Sequence, residues 1–296
     1  MLRKIFTAAC LFSATAVAAQ EDPSMAAFQK SIALASPPQL EERYGEDAIR
    51  QGELRLPKGK GPFPVAVMIH GGCWLSSFGD YKGFGAFSDA LTKRGIATWN
   101  IGYRRLGDTG AGWPGTFQDV AAGVDHLKSL AKRNPLDLKR VTLVGHSAGA
   151  HLALWAASRG KLGREWKPKI RPVSVVAIDG PPALAPYVGI DEEQCGGPVI
   201  TQLMGGKPAD RVAEYRLASP ADHLPLGVKQ MIVPATFTPF LKPYIETAKQ
   251  SGDTVEVLQA DRFHFDVITP GSKNGERVID FIASRAFAKP SKQSSR

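Results

Sequence analysis

Short apolar runs recur along the chain, with amphipathic stretches between them. Val65–Ile69, Ile96–Ile101, Val141–Val144, Val173–Ile178, Met231–Val233 and Val255–Leu258 are apolar throughout or nearly so. Runs of that length are strand-sized. Because they do not alternate with polar residues, they predict strands covered on both faces, as in a parallel sheet. Between them, Phe84–Arg94, Thr116–Arg133, Ala148–Ser158, Phe240–Gln250 and Asn274–Phe287 carry apolar residues at helical spacing. Strand then helix, repeated, predicts an α/β fold: a mostly parallel sheet flanked by helices on both faces.

The rhythm breaks at both ends and once in the middle. Arg3 and Lys4 precede an apolar run from Ile5 that closes on Ala16-Val17-Ala18-Ala19, before the polar Gln20-Glu21-Asp22. This reads as an export signal over residues 1–19, too short to span a bilayer and cleaved after Ala18 or Ala19. The expectation is therefore a periplasmic or extracellular protein with no segment inserted in a membrane. Residues 20–40 read as an N-terminal arm, 41–289 as one α/β domain and 290–296 as a polar tail. Inside the domain, residues from about 181 to 226 are rich in Pro and Gly and weakly periodic. They read as an insertion over the carboxyl edge of the sheet, where ligands bind in open α/β folds.

Composition narrows the classes. With 43% hydrophobic and 22% charged residues, the 296-residue chain can bury a sizeable core. The formal charge of +9 drops by two if Arg3 and Lys4 leave with the signal. The basic residues are scattered and not interleaved with aromatics, so nucleic-acid binding is not expected. Loss of the signal also removes Cys10 and leaves Cys73 and Cys195. An oxidising compartment favours a bridge between them; two separate buried thiols is the other reading, and the sequence keeps both open. No His-x-x-x-His or Cys-x-x-Cys spacing occurs, so neither a metal nor an organic cofactor is expected. No feature sets an oligomeric state.

Candidate chemistry begins where the run Val141–Val144 ends. Gly145-His146-Ser147-Ala148-Gly149-Ala150 follows it and leads into a helical run. A serine on a very tight strand-to-helix turn needs small neighbours, and Gly-x-Ser-x-Gly supplies them, making Ser147 the candidate nucleophile. His70-Gly71-Gly72-Cys73-Trp74 directly follows the run Val65–Ile69. Backbone N–H groups there could stabilise the oxyanion of acyl transfer, a contribution of about 3 kcal/mol per donor. The candidate donors are Gly71, Gly72 and Ala148.

A serine hydroxyl also needs a base. Of the six histidines, His70 and His146 belong to the two motifs, and His151 lies one helical turn beyond the serine as a packing or surface residue. His126 falls on a helix and His223 in a surface loop. His264 alone stands between the last predicted strand and the last helix, which makes it the candidate base.

On these motifs the chain resembles the alpha/beta-hydrolase group of bacterial feruloyl-esterase-like proteins, carboxylesterases and kynurenine formamidase. His-Gly-Gly-x-Trp stands at 70–74, Gly-His-Ser-Ala-Gly-Ala-His-Leu-Ala at 145–153, and the similarity runs from about Leu54 to Phe287. Asn100-Ile101-Gly102-Tyr103-Arg104 and Phe117-Gln118-Asp119-Val120 also look like that group. Arg104 and Asp119 read as structural and could pair with each other. The resemblance implies a serine hydrolase that cleaves small aryl or short-chain esters through an acyl-enzyme. It also implies an acid just after Met231–Val233, but Pro234-Ala235-Thr236-Phe237-Thr238-Pro239 holds no carboxylate.

Asp179, at the end of the preceding strand, is the candidate replacement; a mere turn-capping Asp is the alternative. Asp222 or Asp261 could serve instead, the site could run as a Ser-His dyad, or it could have decayed. Two other functions stay open: an amide hydrolase acting on N-formyl arylamines, which the export signal disfavours, and a silent binding protein of the same fold.

Overall fold

The computed structural model describes residues 22–287. The export signal read over 1–19 and the tail at 290–296 lie outside the described residues. Eight strands form one sheet: β1 (Leu40–Arg43), β2 (Gln51–Arg55), β3 (Phe63–Ile69), β4 (Ala97–Ile101), β5 (Leu136–His146), β6 (Ser174–Ile178), β7 (Lys229–Val233) and β8 (Val255–Val257). Their order is β1-β2-β4-β3-β5-β6-β7-β8. From β4 to β8 all neighbours are parallel, while β1 and β2 join antiparallel at one edge. The architecture is that of an α/β-hydrolase.

The helices, in chain order, are α1 (Ser24–Ile32), α2 (Gly85–Lys93), α3 (Gly115–Asp125), α4 (Leu127–Leu130), α5 (Ala148–Ser158), α6 (Ile190–Cys195), α7 (Val199–Met204), α8 (Val212–Ala218), α9 (Thr238–Gln250) and α10 (Lys273–Arg285). Successive strand residues face opposite ways, and both sides of the sheet are covered. Val65, Val67 and Ile69 pack with α3, α5 and α9; Ala66 and Met68 pack with α2 and α10. That double burial is why the central strands are apolar at every position.

Three features depart from the sequence expectation. The antiparallel pair β1–β2 falls in a polar stretch with no continuous apolar run. Its buried charges are paired instead: Arg55 bridges Glu53 at 2.7 Å and Asp89 at 3.1 Å. The helix expected over 116–133 is divided at His126, whose ring meets Glu42 of β1 at 2.6 Å. The N-terminal arm holds α1, packed so that Phe28 and Phe265 have ring centroids 5.2 Å apart. Arg104 and Asp119 do pair, through two nitrogens at 2.7 and 2.8 Å, and Arg50 adds a third contact to the fully buried carboxylate at 3.1 Å.

Candidate active site

Ser147 sits where β5 turns into α5, with φ at 56°. A residue carrying a Cβ rarely adopts that region, and the turn is held by its surroundings. The Ser147 N–H donates to Ile178 O at 2.9 Å, and a Cβ on Gly149 would stand 2.0 Å from Ile69 O. Only glycine admits that approach, so the turn and the neighbouring strand end lock together.

The loop after β3 lies against this turn. A Cβ on Gly71 would come within 2.8 Å of His146 O and 3.0 Å of the Ser147 Cβ. Among the described residues, the N–H groups of Gly71, Gly72 and Ala148 donate no hydrogen bond. The His70 ring bonds Gly71 O through Nδ1 at 2.7 Å. Across a trans peptide the next N–H points opposite to that carbonyl, so His70 turns the Gly72 N–H away from itself. Tyr103 holds His70 in turn, stacking on its ring at 4.3 Å and donating its hydroxyl to His70 O at 2.7 Å. Burial pushes the His70 ring down to about 3, so it works as a neutral strut.

His264, between β8 and α10, is held at three points. Its ring Nδ1 donates to Asp179 Oδ2 at 2.7 Å. Its carbonyl accepts from His146 Nε2 at 2.8 Å, and its N–H donates to Asp22 Oδ2 at 2.9 Å. A carboxylate accepts only, so the ring proton stays on Nδ1 and Nε2 keeps a free lone pair. Burial, with the His264 ring adding to it, takes His146 down to about 3, and it too stays neutral. Ser24, beside Asp22, accepts the Phe265 N–H at 3.1 Å.

The carboxylate at the His264 ring belongs to Asp179, one strand away from the position the resemblance implies. Asp179 directly follows β6 with φ at 45°, and its N–H donates to Val233 O at the end of β7. Its fully buried carboxylate takes the N–H groups of Ala235, Thr236 and Phe237 at 2.8, 3.0 and 2.9 Å. Those amides belong to the loop where the sequence holds no acid, just before α9. Burial alone would raise this carboxyl, but the His264 ring and the amides outweigh it and hold it below the ordinary aspartate range. Asp261 lies near Asn274 and Lys273, and neither it nor Asp222 bonds the ring.

Ser147 opens onto two spaces. One is an apolar pocket of about 40 Å³ between Cys73, Trp74, Ala148, Tyr187, Ile200 and Phe237. The other is a cleft of about 610 Å³ that also contains His264, with Asp22, Phe78, Arg262 and Phe263 along its walls. Part of the 181–226 stretch therefore lines the pocket. The remaining histidines lie elsewhere: His151 is buried against Ala218 O at 2.8 Å, and His223 meets Arg216 O at 2.9 Å. Asp22 and Ser24 were missed in the sequence because nothing local marks a residue 242 positions from its partner.

The family model BD-FAE matches residues 53–233. The chain belongs to the BD-FAE family. The BD-FAE match includes Gly71, Gly72, Ser147 and Asp179 and stops before His264. The chain is 33% identical to a probable isoprenylcysteine alpha-carbonyl methylesterase of Oryza sativa subsp. japonica over 112 residues, 37% of this chain and 25% of that protein. It is 30% identical to esterase EstD of Thermotoga maritima over 115 residues, 37% of this chain and 27% of that protein. The match thus spans about a quarter of each of these relatives. Among solved structures, inhibited esterase B of Lactobacillus rhamnosis superposes with a TM-score of 0.72 at 18% identity, covering 88% of this chain and 90% of that one. Butyrate-bound Est2 of Thermogutta terrifontis gives 0.68 at 17%, covering 86% and 96%. At such identities the likeness is one of fold.

Proposed function

We propose that this BD-FAE member is an exported serine esterase, cleaving small carboxylic esters with short acyl groups through an acyl-enzyme. The observation that carries the reading is the His264 ring, fixed by Asp179 through Nδ1 and sharing a cleft with Ser147. Nε2 takes the Ser147 proton as Oγ attacks the ester carbonyl, and the imidazolium is stabilised by the Asp179 carboxylate. The Gly71, Gly72 and Ala148 amides receive the oxyanion. His264 then protonates the leaving alcohol, and water it activates releases the acid. The silent-scaffold reading rested on a missing acid, and the carboxylate on the ring removes that ground.

The two spaces beside Ser147 suggest how the substrate divides. The small pocket is much the narrower of the two and its walls are apolar. That suits acetyl to butyryl tails, while the larger cleft, with Phe78 and Phe263, accepts an aryl alcohol. Est2, similar to this chain in fold, has been solved with butyrate and with propionate, acids of that size. The disulfide described below supports export, because such bonds persist in oxidising compartments. The test is a series of p-nitrophenyl esters. The expected kcat/KM is higher for acetate through butyrate than for octanoate by about tenfold or more; folded protein that hydrolyses none of them overturns the reading.

Asp22 offers a subtler check. Asp22→Ala removes the acceptor of the His264 N–H and is expected to lower kcat about tenfold, equivalent to about 1.4 kcal/mol. The wild-type far-UV spectrum should persist. An unchanged kcat would mean that the N-terminal segment does not position the ring.

A further inference from the structure

Cys73 and Cys195 form a disulfide, with Cα atoms 5.8 Å apart and a separation of 122 positions in sequence. It joins the loop after β3 to the last residue of α6. At the Cys73 end, Cys73 and Trp74 are consecutive residues at φ 53° and 55°. Positive φ at two successive residues is tight-turn geometry; the turn is closed by the Leu75 N–H on Gly72 O at 2.8 Å and tied to Leu106, whose N–H meets Trp74 O at 2.7 Å, and the bridge anchors its first central residue. Both follow directly on Gly71 and Gly72, so relaxation at Cys73 would turn the amides that face the oxyanion.

The Cys195 end concerns substrate size. Cys73 and Cys195 line both the small pocket and the large cleft, and Ser147 opens onto both. The bridge therefore stands beside the nucleophile as a partition between the two spaces. Helix α6 has six residues, too few to hold its own place. Apart from the bridge, it is tied at its start, where Asp191 accepts the Gly189 and Ile200 N–H groups at 2.8 and 2.7 Å. Its C-terminal end has the sulfur link to the oxyanion loop.

We infer that the Cys73–Cys195 disulfide is a positioning and specificity-determining element of the ester site, holding the oxyanion loop in its tight turn and closing the acyl pocket. This rests on the esterase reading of Ser147. Without the bridge the loop relaxes, α6 swings from Ser147, and the pocket joins the cleft. Two kinetic changes then occur together: kcat on acetate falls, and longer acyl chains gain relative to acetate.

The test compares wild type with Cys73→Ala/Cys195→Ala on p-nitrophenyl acetate and octanoate, with folding followed by circular dichroism. The expected result is a kcat on acetate lower by about tenfold or more, the range of a weakened oxyanion contact. The octanoate-to-acetate ratio of kcat/KM should rise severalfold in the same protein. Should the double variant not fold, wild type reduced by tris(2-carboxyethyl)phosphine, with its thiols counted, replaces it, and reoxidation is expected to restore both values. A folded, bridge-free protein with wild-type kcat and acyl ratio overturns the inference alone. Wild type that hydrolyses no ester overturns the esterase reading and the inference with it.

Discussion

Ser147→Ala is expected to lower kcat for p-nitrophenyl acetate by about 10⁵–10⁶ while leaving the protein folded. The size follows from what is lost. In the proposed mechanism the variant forms no acyl-enzyme, and His264, Asp179 and the free amides have only an unpositioned water to act on. On the same reading a residual rate above solution is expected, because ester binding and the proposed oxyanion amides survive the change. Folding is expected to hold because alanine keeps the Cβ already accommodated at φ 56°, and the N–H still reaches Ile178 O. The measurement is the initial rate of purified variant against wild type at matched circular dichroism. A loss below tenfold would remove Ser147 from the chemistry.

Asp179→Asn is expected to cost about 10⁴ in kcat, the scale of a triad whose imidazole holds the wrong tautomer. The surroundings dictate how the amide sits. Ala235 and Phe237 both donate to Oδ1, whereas Thr236 and the His264 ring face Oδ2. The asparagine oxygen therefore takes the Oδ1 place and its NH₂ meets Nδ1. That transfers the ring proton to Nε2, where it blocks proton abstraction from Ser147. A rate within tenfold of wild type would assign the acid's role elsewhere.

The same carboxylate gives a pH signature. Its value is held below that of an unfolded aspartate, so the native state binds fewer protons there than the unfolded chain. The stabilisation is complete above the unfolded value of about 3.9 and is lost as pH falls through the lower folded value. Thermal melts of wild type are accordingly expected to drop on acidification below about pH 4 more steeply than those of Asp179→Asn. Equal acid slopes would contradict the depressed value.

What could be read from the chain follows how local each requirement is. The parallel strands are legible because double burial demands apolar residues at every position from Val65 to Ile69 and from Val141 to Val144. β1 and β2 are not, because their buried charges are satisfied by partners such as Asp89, distant in sequence. The serine turn and the His-Gly-Gly loop declare themselves through backbone needs met within a few residues. The acid does not. With the ends of β6 and β7 hydrogen-bonded at Asp179 and Val233, a carboxylate from either strand can serve one ring, and no periodicity says which. The contact between Asp22 and His264 depends wholly on where the N-terminal segment docks.

One measurement bears most directly on the proposed joint role of Ser147 and His264: the site and rate of covalent reaction with a fluorophosphonate. The folded wild type is expected to carry the adduct on Ser147 in peptide mass spectra, and His264→Gln is expected to slow labelling by orders of magnitude. An adduct on another residue, or labelling as fast without the imidazole as with it, would contradict a hydroxyl activated by that ring.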